Sequence, residues 1–254
     1  MIPLYWKHTL IRTPLEKPAK QLQRVLNAWR VLRHPGLHDI YAEEYEIERF
    51  FDKVVRRNSN CVDVGAHIGS TLSSILRRAP KGKHIAIEPV RRKAEWLRRK
   101  FPEVDVRDVA LADAPGTKRF IERKECSGTS CILPSGPHCD GETTVSCDCL
   151  DNIVSPHRRV DFIKIDVEGA ELLALRGGAS LLRRDHPTIL FESAPDSAKA
   201  FGYDCEQLFR FLNEEVGYSI YLIRDFLRDA QPIDVSTFIN SHRYPFRAMN
   251  YVAA

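Results

Sequence analysis

Acidic residues recur where apolar, β-prone runs end, and their spacing limits the chemistry this chain can carry. The run Cys61-Val62-Asp63-Val64 passes into Gly65-Ala66-His67-Ile68-Gly69 and then into a helix-prone stretch from Ser70. Gly65 permits a tight turn, and Gly69 permits close approach of backbone to a ligand or of helix to sheet. The G-x-x-x-G spacing is neither the G-x-G-x-x-G of dinucleotide-binding strands nor the G-x-x-x-x-G-K-[ST] of triphosphate loops. Asp63 aims a carboxylate at the turn, which suits a cationic group and repels a pyrophosphate. Taken alone, such a turn can equally be structural.

Glu88 closes a second run, KHIAIE, 19 residues after Gly69. An acid so placed can accept both hydroxyls of a ribose; the other reading is an acid interacting with the dipole of the helix that follows. Asp108 ends a third run and suits an exocyclic amine such as that of adenine, or a plain surface turn. The fourth run, Phe162-Ile163-Lys164-Ile165, leads to Asp166, Glu168 and Gly169. Either carboxylate can cap the next helix. An Asp at the end of a buried Val/Ile strand is nevertheless costly without a partner, which favours a site role for both acids. Glu192, closing PTILFES, faces the same rim. Together these acids describe a pocket for a sugar-bearing, cationic, unphosphorylated ligand, a description that S-adenosylmethionine meets and NAD does not.

Six short β-rich runs, at 60–64, 83–88, 103–110, 160–166, 187–193 and 218–223, must position these groups. Amphipathic stretches such as STLSSILRRA and RRKAEWLRRKF separate them. Strand–helix alternation implies an α/β fold, a doubly wound and mostly parallel Rossmann-like sheet with right-handed crossovers. Ligands of such sheets sit beyond the carboxyl ends of the strands. Residues 113–150 interrupt the alternation as an antiparallel excursion with a long loop. Residues 1–50 read as an N-terminal helical extension to a domain over 51–254. In that extension Leu22, Val25, Leu26, Trp29 and Leu32 recur at helical spacing, a stripe expected to pack on the parent domain; a lid or a membrane-surface helix is the alternative.

The chain has 254 residues, 43% of them apolar, 28% charged, with a net charge of +4. That charge is too small to imply a nucleic-acid partner. Basic runs at 1–35 and 91–100 read as solvated helix faces, with an anionic substrate or peripheral membrane contact as the alternative. No apolar run approaches the ~20 residues of a transmembrane helix, and no signal peptide is evident, so the expected compartment is the cytoplasm. Of seven cysteines, five fall between 126 and 149. They form no C-x-x-C pair, so reduced thiols are expected rather than zinc ligands.

The stretches VDVGAHIGSTL (62–72), IAIEPV (85–90), DVALAD (108–113), LDNI (150–153), FIKIDVEGAELLALRGG (162–178) and PTILFES (187–193) resemble the FkbM family of methyltransferases in order and spacing. The resemblance covers roughly residues 45–195, and KIDVEGAE is its most specific part. It implies a class I methyltransferase sheet, S-adenosylmethionine as cofactor, and transfer to an oxygen, usually a hydroxyl of a sugar, glycan or natural product. Carried over by position, Asp63, Gly65, Ala66 and Gly69 line the methionine end, Glu88 the ribose and Asp108 the adenine side. Asp166 and Glu168 then lie by the transferred methyl as the catalytic pair, with no metal. A divalent ion at Asp166 is the variant, and a non-catalytic Rossmann-like binding protein is the rival. An NAD-dependent oxidoreductase would need a Tyr-x-x-x-Lys, which this sequence does not contain.

Overall fold

A computed structural model of the chain describes residues 10–122, 131–133 and 141–254. The chain opens with two helices, α1 (Glu16–Arg33) and α2 (His38–Val54). Alternation begins with β1 (Cys61–Val64), α3 (Ser70–Arg78), β2 (Ile85–Ile87), α4 (Arg91–Lys100) and β3 (Asp105–Arg107). An excursion follows through β4 (Ala110–Leu111), β5 (Gly116–Ile121), β6 (Cys131–Ile132) and β7 (Glu142–Asp148). The chain returns through α5 (Leu150–Ile153), β8 (Phe162–Ile165), α6 (Glu171–Arg176), α7 (Ala179–Asp185), β9 (Thr188–Glu192), α8 (Pro195–Ala200) and α9 (Cys205–Arg210). It ends in β10 (Ile220–Leu222), α10 (Ile223–Leu227), α11 (Val235–Ser241) and β11 (Asn250–Ala253).

The main sheet has seven strands in the order β10-β11-β9-β8-β1-β2-β3. β3, β2, β1, β8 and β9 run parallel, while β11 runs antiparallel to both β9 and β10. The chain leaves β1 toward β2 and β3, then returns to place β8 on the other side of β1, so the strand order reverses between β1 and β8. That is where a doubly wound sheet opens its ligand crevice. The excursion forms a second sheet, β4-β7-β5-β6, antiparallel except for the β4–β7 pair.

β1 and β8 are buried along their whole length, as expected of strands covered on both faces. Period-2 alternation divides their side chains between two layers. Ile163 and Ile165 pack with Val62, Val64 and Leu172 on one face. Phe162 packs with Cys61, Phe50 and Phe51 on the other, with the Phe51 and Phe162 rings edge-on at 5.6 Å. Truncating a ring buried this fully costs about 3–5 kcal/mol. The expected boundary at residue 50 thus falls inside α2, whose last two turns belong to this core.

Two features depart from the sequence reading. GAELLALRGGASLLRRD forms two helices, broken at Gly177-Gly178. A Cβ on Gly177 would strike the Ala112 carbonyl and one on Gly178 the Leu150 side chain. Asp151 of the LDNI stretch then caps α7, accepting the amides of Ser180 (3.1 Å) and Leu181 (2.8 Å). β11 was not anticipated, because NYVA is a short run with no alternation to betray it.

The apolar stripe of α1 is a correction: it faces solvent, not the domain. The opposite, polar side docks instead. Glu16 meets Arg77 (2.7 Å), Lys20 meets Glu48 (2.8 Å) and Asn27 donates to Glu44 (3.1 Å). Charged partners waiting on α2 and α3 decide which face turns inward. The described cysteines, Cys61, Cys131, Cys147, Cys149 and Cys205, form no disulfide; Cys126 and Cys139 lie outside the described residues.

Candidate active site

A cavity of about 240 Å³ opens at the carboxyl ends of β1, β2 and β8, where the strand order reverses. Gly65, Ala66, Glu88, Asp166 and Glu168 all line it. The turn after β1 crosses directly over that after β8. Gly65 has φ +73°, and a Cβ there would collide with the Asp166 carbonyl oxygen, so only glycine fits. Gly69 (φ +85°) acts elsewhere. It precedes α3 with its Cα against the Phe101 ring, and it does not line the cavity.

Glu88 is buried and holds the turn. Its Oε2 accepts the His67 amide and its Oε1 the Val90 amide, each at 2.9 Å. Burial raises its pKa, and the nearby Lys93 ammonium opposes that rise. One lone pair on each oxygen remains for a ligand, because an ionised carboxylate has about four acceptor sites.

The opposite wall is a charge cluster. Lys164 pairs in register with Asp63 across β1 and β8. Its Nζ donates to Asp166 Oδ2 at 2.9 Å. Burial disfavours the ammonium, but Asp166 and Asp63 outweigh it and hold the Lys164 pKa above the ordinary lysine value. Burial likewise works against the Asp166 carboxylate, and Lys164 and a hydrogen bond from Glu192 bring its pKa below the usual range. Burial together with the Asp166 charge pushes Glu192 up to about 10, so at neutral pH Glu192 carries the proton it donates to Asp166.

The turn that carries Asp166 and Glu168 is clamped from below. Glu171 Oε1 accepts the amides of Val167 and Gly169, each at 3.1 Å, and Tyr203 Oη donates to the Gly169 carbonyl at 2.8 Å. Glu168 and His67 both sit in the left-handed region, at φ 56° and 51°. Each such non-glycine residue costs about 1–2 kcal/mol, and both face the cavity. Strain of this kind collects at functional sites.

Two further expected residues stand elsewhere. Asp108 departs from its expected place: its carboxylate is exposed, pairs with Arg98 at 2.6 Å and does not line the cavity, whereas Val109 and Ala110 do. Asp63 is fully buried beneath the Gly65 turn, with the Leu72 amide and the Lys164 ammonium as the groups that favour its charged form. Burial raises its pKa to about 6, against the pull of Lys164. Sequence reasoning passed over Lys164, Glu171 and Tyr203. For Lys164 the signal was present: strand alternation puts Lys164 and Asp166 on one side of the sheet.

The cavity joins an apolar wall of Val109, Leu111, Phe120 and Ile132 to the acids Glu88, Asp166 and Glu168. A flat ring, a ribose and a cationic centre need that combination, and the glycine turn leaves room for backbone to approach them. The residues present therefore fit S-adenosylmethionine.

The chain is 30% identical to the AMB antimetabolite synthetase AmbE of Pseudomonas aeruginosa over a 193-residue alignment covering 57% of this chain and 9% of that protein. Its fold resembles the methyltransferase FkbM of Methylobacillus flagellatus at a TM-score of 0.50 and 16% identity, covering 93% of this chain and 59% of that one. An S-adenosylmethionine-dependent methyltransferase of Aquifex aeolicus superposes at a TM-score of 0.39 and 16% identity, covering 76% of this chain and 88% of that one. The chain spans less than two thirds of the length of the first two. A family model, the methyltransferase FkbM domain, matches residues 63–220, and the chain belongs to the FkbM family of S-adenosylmethionine-dependent methyltransferases.

Proposed function

We propose that the chain methylates an oxygen, taking as acceptor a hydroxyl of a sugar, glycan or natural product. The observation that carries this reading is the proton-sharing pair Asp166–Glu192, whose Asp166 lines the cavity beside Glu168. A bound S-adenosylmethionine supplies an electrophilic methyl on a sulfonium. This chain's residues have to hold donor and acceptor in line and manage the acceptor's proton. Glu88 is assigned to the ribose, the Gly65-Ala66 turn to the methionine end, and the buried negative charge of Asp63 to the field beneath that turn. The adenine is assigned to the apolar wall beside Val109, in place of Asp108.

An acceptor hydroxyl donates its hydrogen bond to Asp166 or Glu168. Asp166 stays ionised because Lys164 and the Glu192 proton hold it so, which makes it an orienting group first and a base second. Alignment at near-attack distance is worth about 7–11 kcal/mol, and a positioned base adds about 10²–10⁴-fold. β6, whose Cys131 and Ile132 line the cavity, is assigned to acceptor choice.

Asp166, Glu168 and Glu192 each offer an oxygen within 4.8 Å of the others, a set that can also hold a divalent ion. We favour the proton-holding role, because Lys164 already neutralises Asp166 and a second cation would crowd it. The test is methyl transfer from labelled S-adenosylmethionine to a panel of hydroxylated acceptors, with and without chelator, for wild type and Asp166→Asn. Chelator-insensitive transfer to oxygen that the variant loses while still binding the cofactor supports the reading. Transfer to nitrogen, or full activity in the variant, refutes it.

A further inference from the structure

We propose that α1 is a membrane-surface helix, whose outward apolar stripe seats at the headgroup–acyl boundary of an anionic bilayer. The proposal does not depend on the acceptor. The orientation of the helix is inverted. On a wheel of about 100° per residue, Glu16, Lys20 and Asn27 lie opposite Leu22 and Trp29, and it is the polar side that binds the domain. The inward bonds are spread along the helix. The Glu16 carboxylate accepts the Arg12 amide and reaches Ser73 and Arg77; Lys20 bonds Glu48 and Ser74; Asn27 bonds Glu44. The helix is therefore fixed with its apolar side out, and the stripe is not a core face awaiting a small rearrangement.

What is left outside is large. Leu22 is 55% exposed, Val25 68%, Trp29 60% and Leu32 77%, with Leu15 and Leu26 continuing the row. These residues run along a helix about 27 Å long at 1.5 Å per residue. Soluble monomers rarely leave a contiguous apolar patch of this kind without a use for it.

The charge beside the stripe identifies the occupant. Arg30 and Arg33 stand in the last turn of α1, and its one acid is Glu16. That acid is turned inward onto Arg77. The Arg33 guanidinium lies 4.3 Å over the exposed Trp29 ring, and Arg30 bonds only the side-chain carbonyl of Asn27 among the described residues. Apolar residues with an aromatic anchor and flanking arginines are the composition of a helix lying in a headgroup layer. Anionic lipid complements the arginines, while the Trp ring takes the interface. A second copy of the chain would bring two arginine edges together, which is unfavourable.

Sedimentation of the full chain with lipid vesicles tests this. We expect the protein to pellet with phosphatidylcholine vesicles containing about one third phosphatidylglycerol, to bind them about tenfold or more tighter than phosphatidylcholine alone, and to be released by raised salt. Leu22→Ser/Trp29→Ser changes only exposed side chains. It should leave circular dichroism and melting unchanged and weaken vesicle binding about tenfold or more. Arg30→Gln/Arg33→Gln should erase most of the preference for anionic lipid. A protein that stays in the supernatant with anionic vesicles overturns the proposal, as does binding indifferent to the Leu22/Trp29 pair. A dimer in sedimentation velocity that this pair splits, without vesicle binding, gives the face to a second copy and overturns it as well.

Discussion

Glu192 and Asp166 share one proton across the carboxyl ends of two adjacent parallel strands. Ile165 pairs with Phe191 in the β8–β9 register, so the next residue on each chain brings a carboxyl to the same end of the sheet. Two carboxylates this close cannot both ionise without cost. Lys164, bonded to Asp166, decides which of them keeps the proton, leaving Asp166 ionised and Glu192 protonated up to about 10.

This arrangement has a pH signature. As pH rises through about 10 Glu192 loses its proton, and a second negative charge appears beside Asp166 and Glu168. Turnover of the wild type should hold level across neutral pH and fall on that alkaline limb. Glu192→Gln keeps a donor for Asp166 but has no proton to lose. Its kcat at neutral pH should lie within a few-fold of wild type, and its alkaline limb should vanish. A limb unchanged in the variant would assign it to another group.

Asp63 links stability to pH with the opposite sign from a salt-bridged acid. Its folded pKa of about 6 lies above its ordinary 3.8, so the folded state binds the proton more tightly and stability drains away as pH rises from about 4 to about 6. Above that window the buried charge costs on the order of 2–3 kcal/mol, at 1.36 kcal/mol per pKa unit. Asp63→Asn should therefore resist urea better than wild type near pH 7.5 and match it near pH 4. It should also bind S-adenosylmethionine more weakly, if the carboxylate supplies field to the site. An equal offset at both pH values would mean that the substitution acts through packing.

Gly65 and Gly202 separate two reasons for a glycine. Both have left-handed backbone, φ +73° and +77°, but a Cβ at Gly65 meets the Asp166 carbonyl while one at Gly202 meets nothing within 4 Å. Gly202→Ala should cost about 1–2 kcal/mol, the left-handed penalty alone. Gly65→Ala should add about 1–3 kcal/mol of overpacking and displace the Asp166 turn. Thermal melts of the two variants give the difference; equal losses would show that the turn yields.

Much of the lining of the candidate site could be read from the sequence, because strand-end positions are set by local pattern. Apolar runs announced β1, β2 and β8, and the residue after each run is at the crevice in any doubly wound sheet. Asp166, Glu168, Glu88 and Gly65 followed from that rule. It failed at Asp108, where β3 is exposed on its last residue and Arg98 of α4 lies within reach. That pairing comes from tertiary approach, and no spacing encodes it. The α1 stripe misled for the same reason. Helical periodicity shows that a face is apolar, and only the partners on α2 and α3 decide which face turns inward. The Glu171–Tyr203 clamp joins residues 32 apart, a distance that local pattern cannot bridge.

Glu88 and Asp108 are set apart by cofactor titration. Asp108 and Arg98 form an exposed pair, worth at most about 1 kcal/mol, and neither carboxylate oxygen of Asp108 reaches the cavity wall. Asp108→Ala should thus leave calorimetric binding of S-adenosylmethionine within about threefold of wild type, since only a surface ion pair is lost. Glu88→Ala removes the acceptor for the His67 and Val90 amides together with the group assigned to the ribose. It should lower stability by about 1–3 kcal/mol and reduce binding below detection. Glu88→Gln keeps one acceptor oxygen and the side-chain volume, so it should fold better than the alanine variant yet bind the cofactor at least about tenfold more weakly than wild type, because a charge-assisted bond is gone. Wild-type affinity in a folded Glu88→Gln would remove Glu88 from the ribose and leave it as the clasp of the turn.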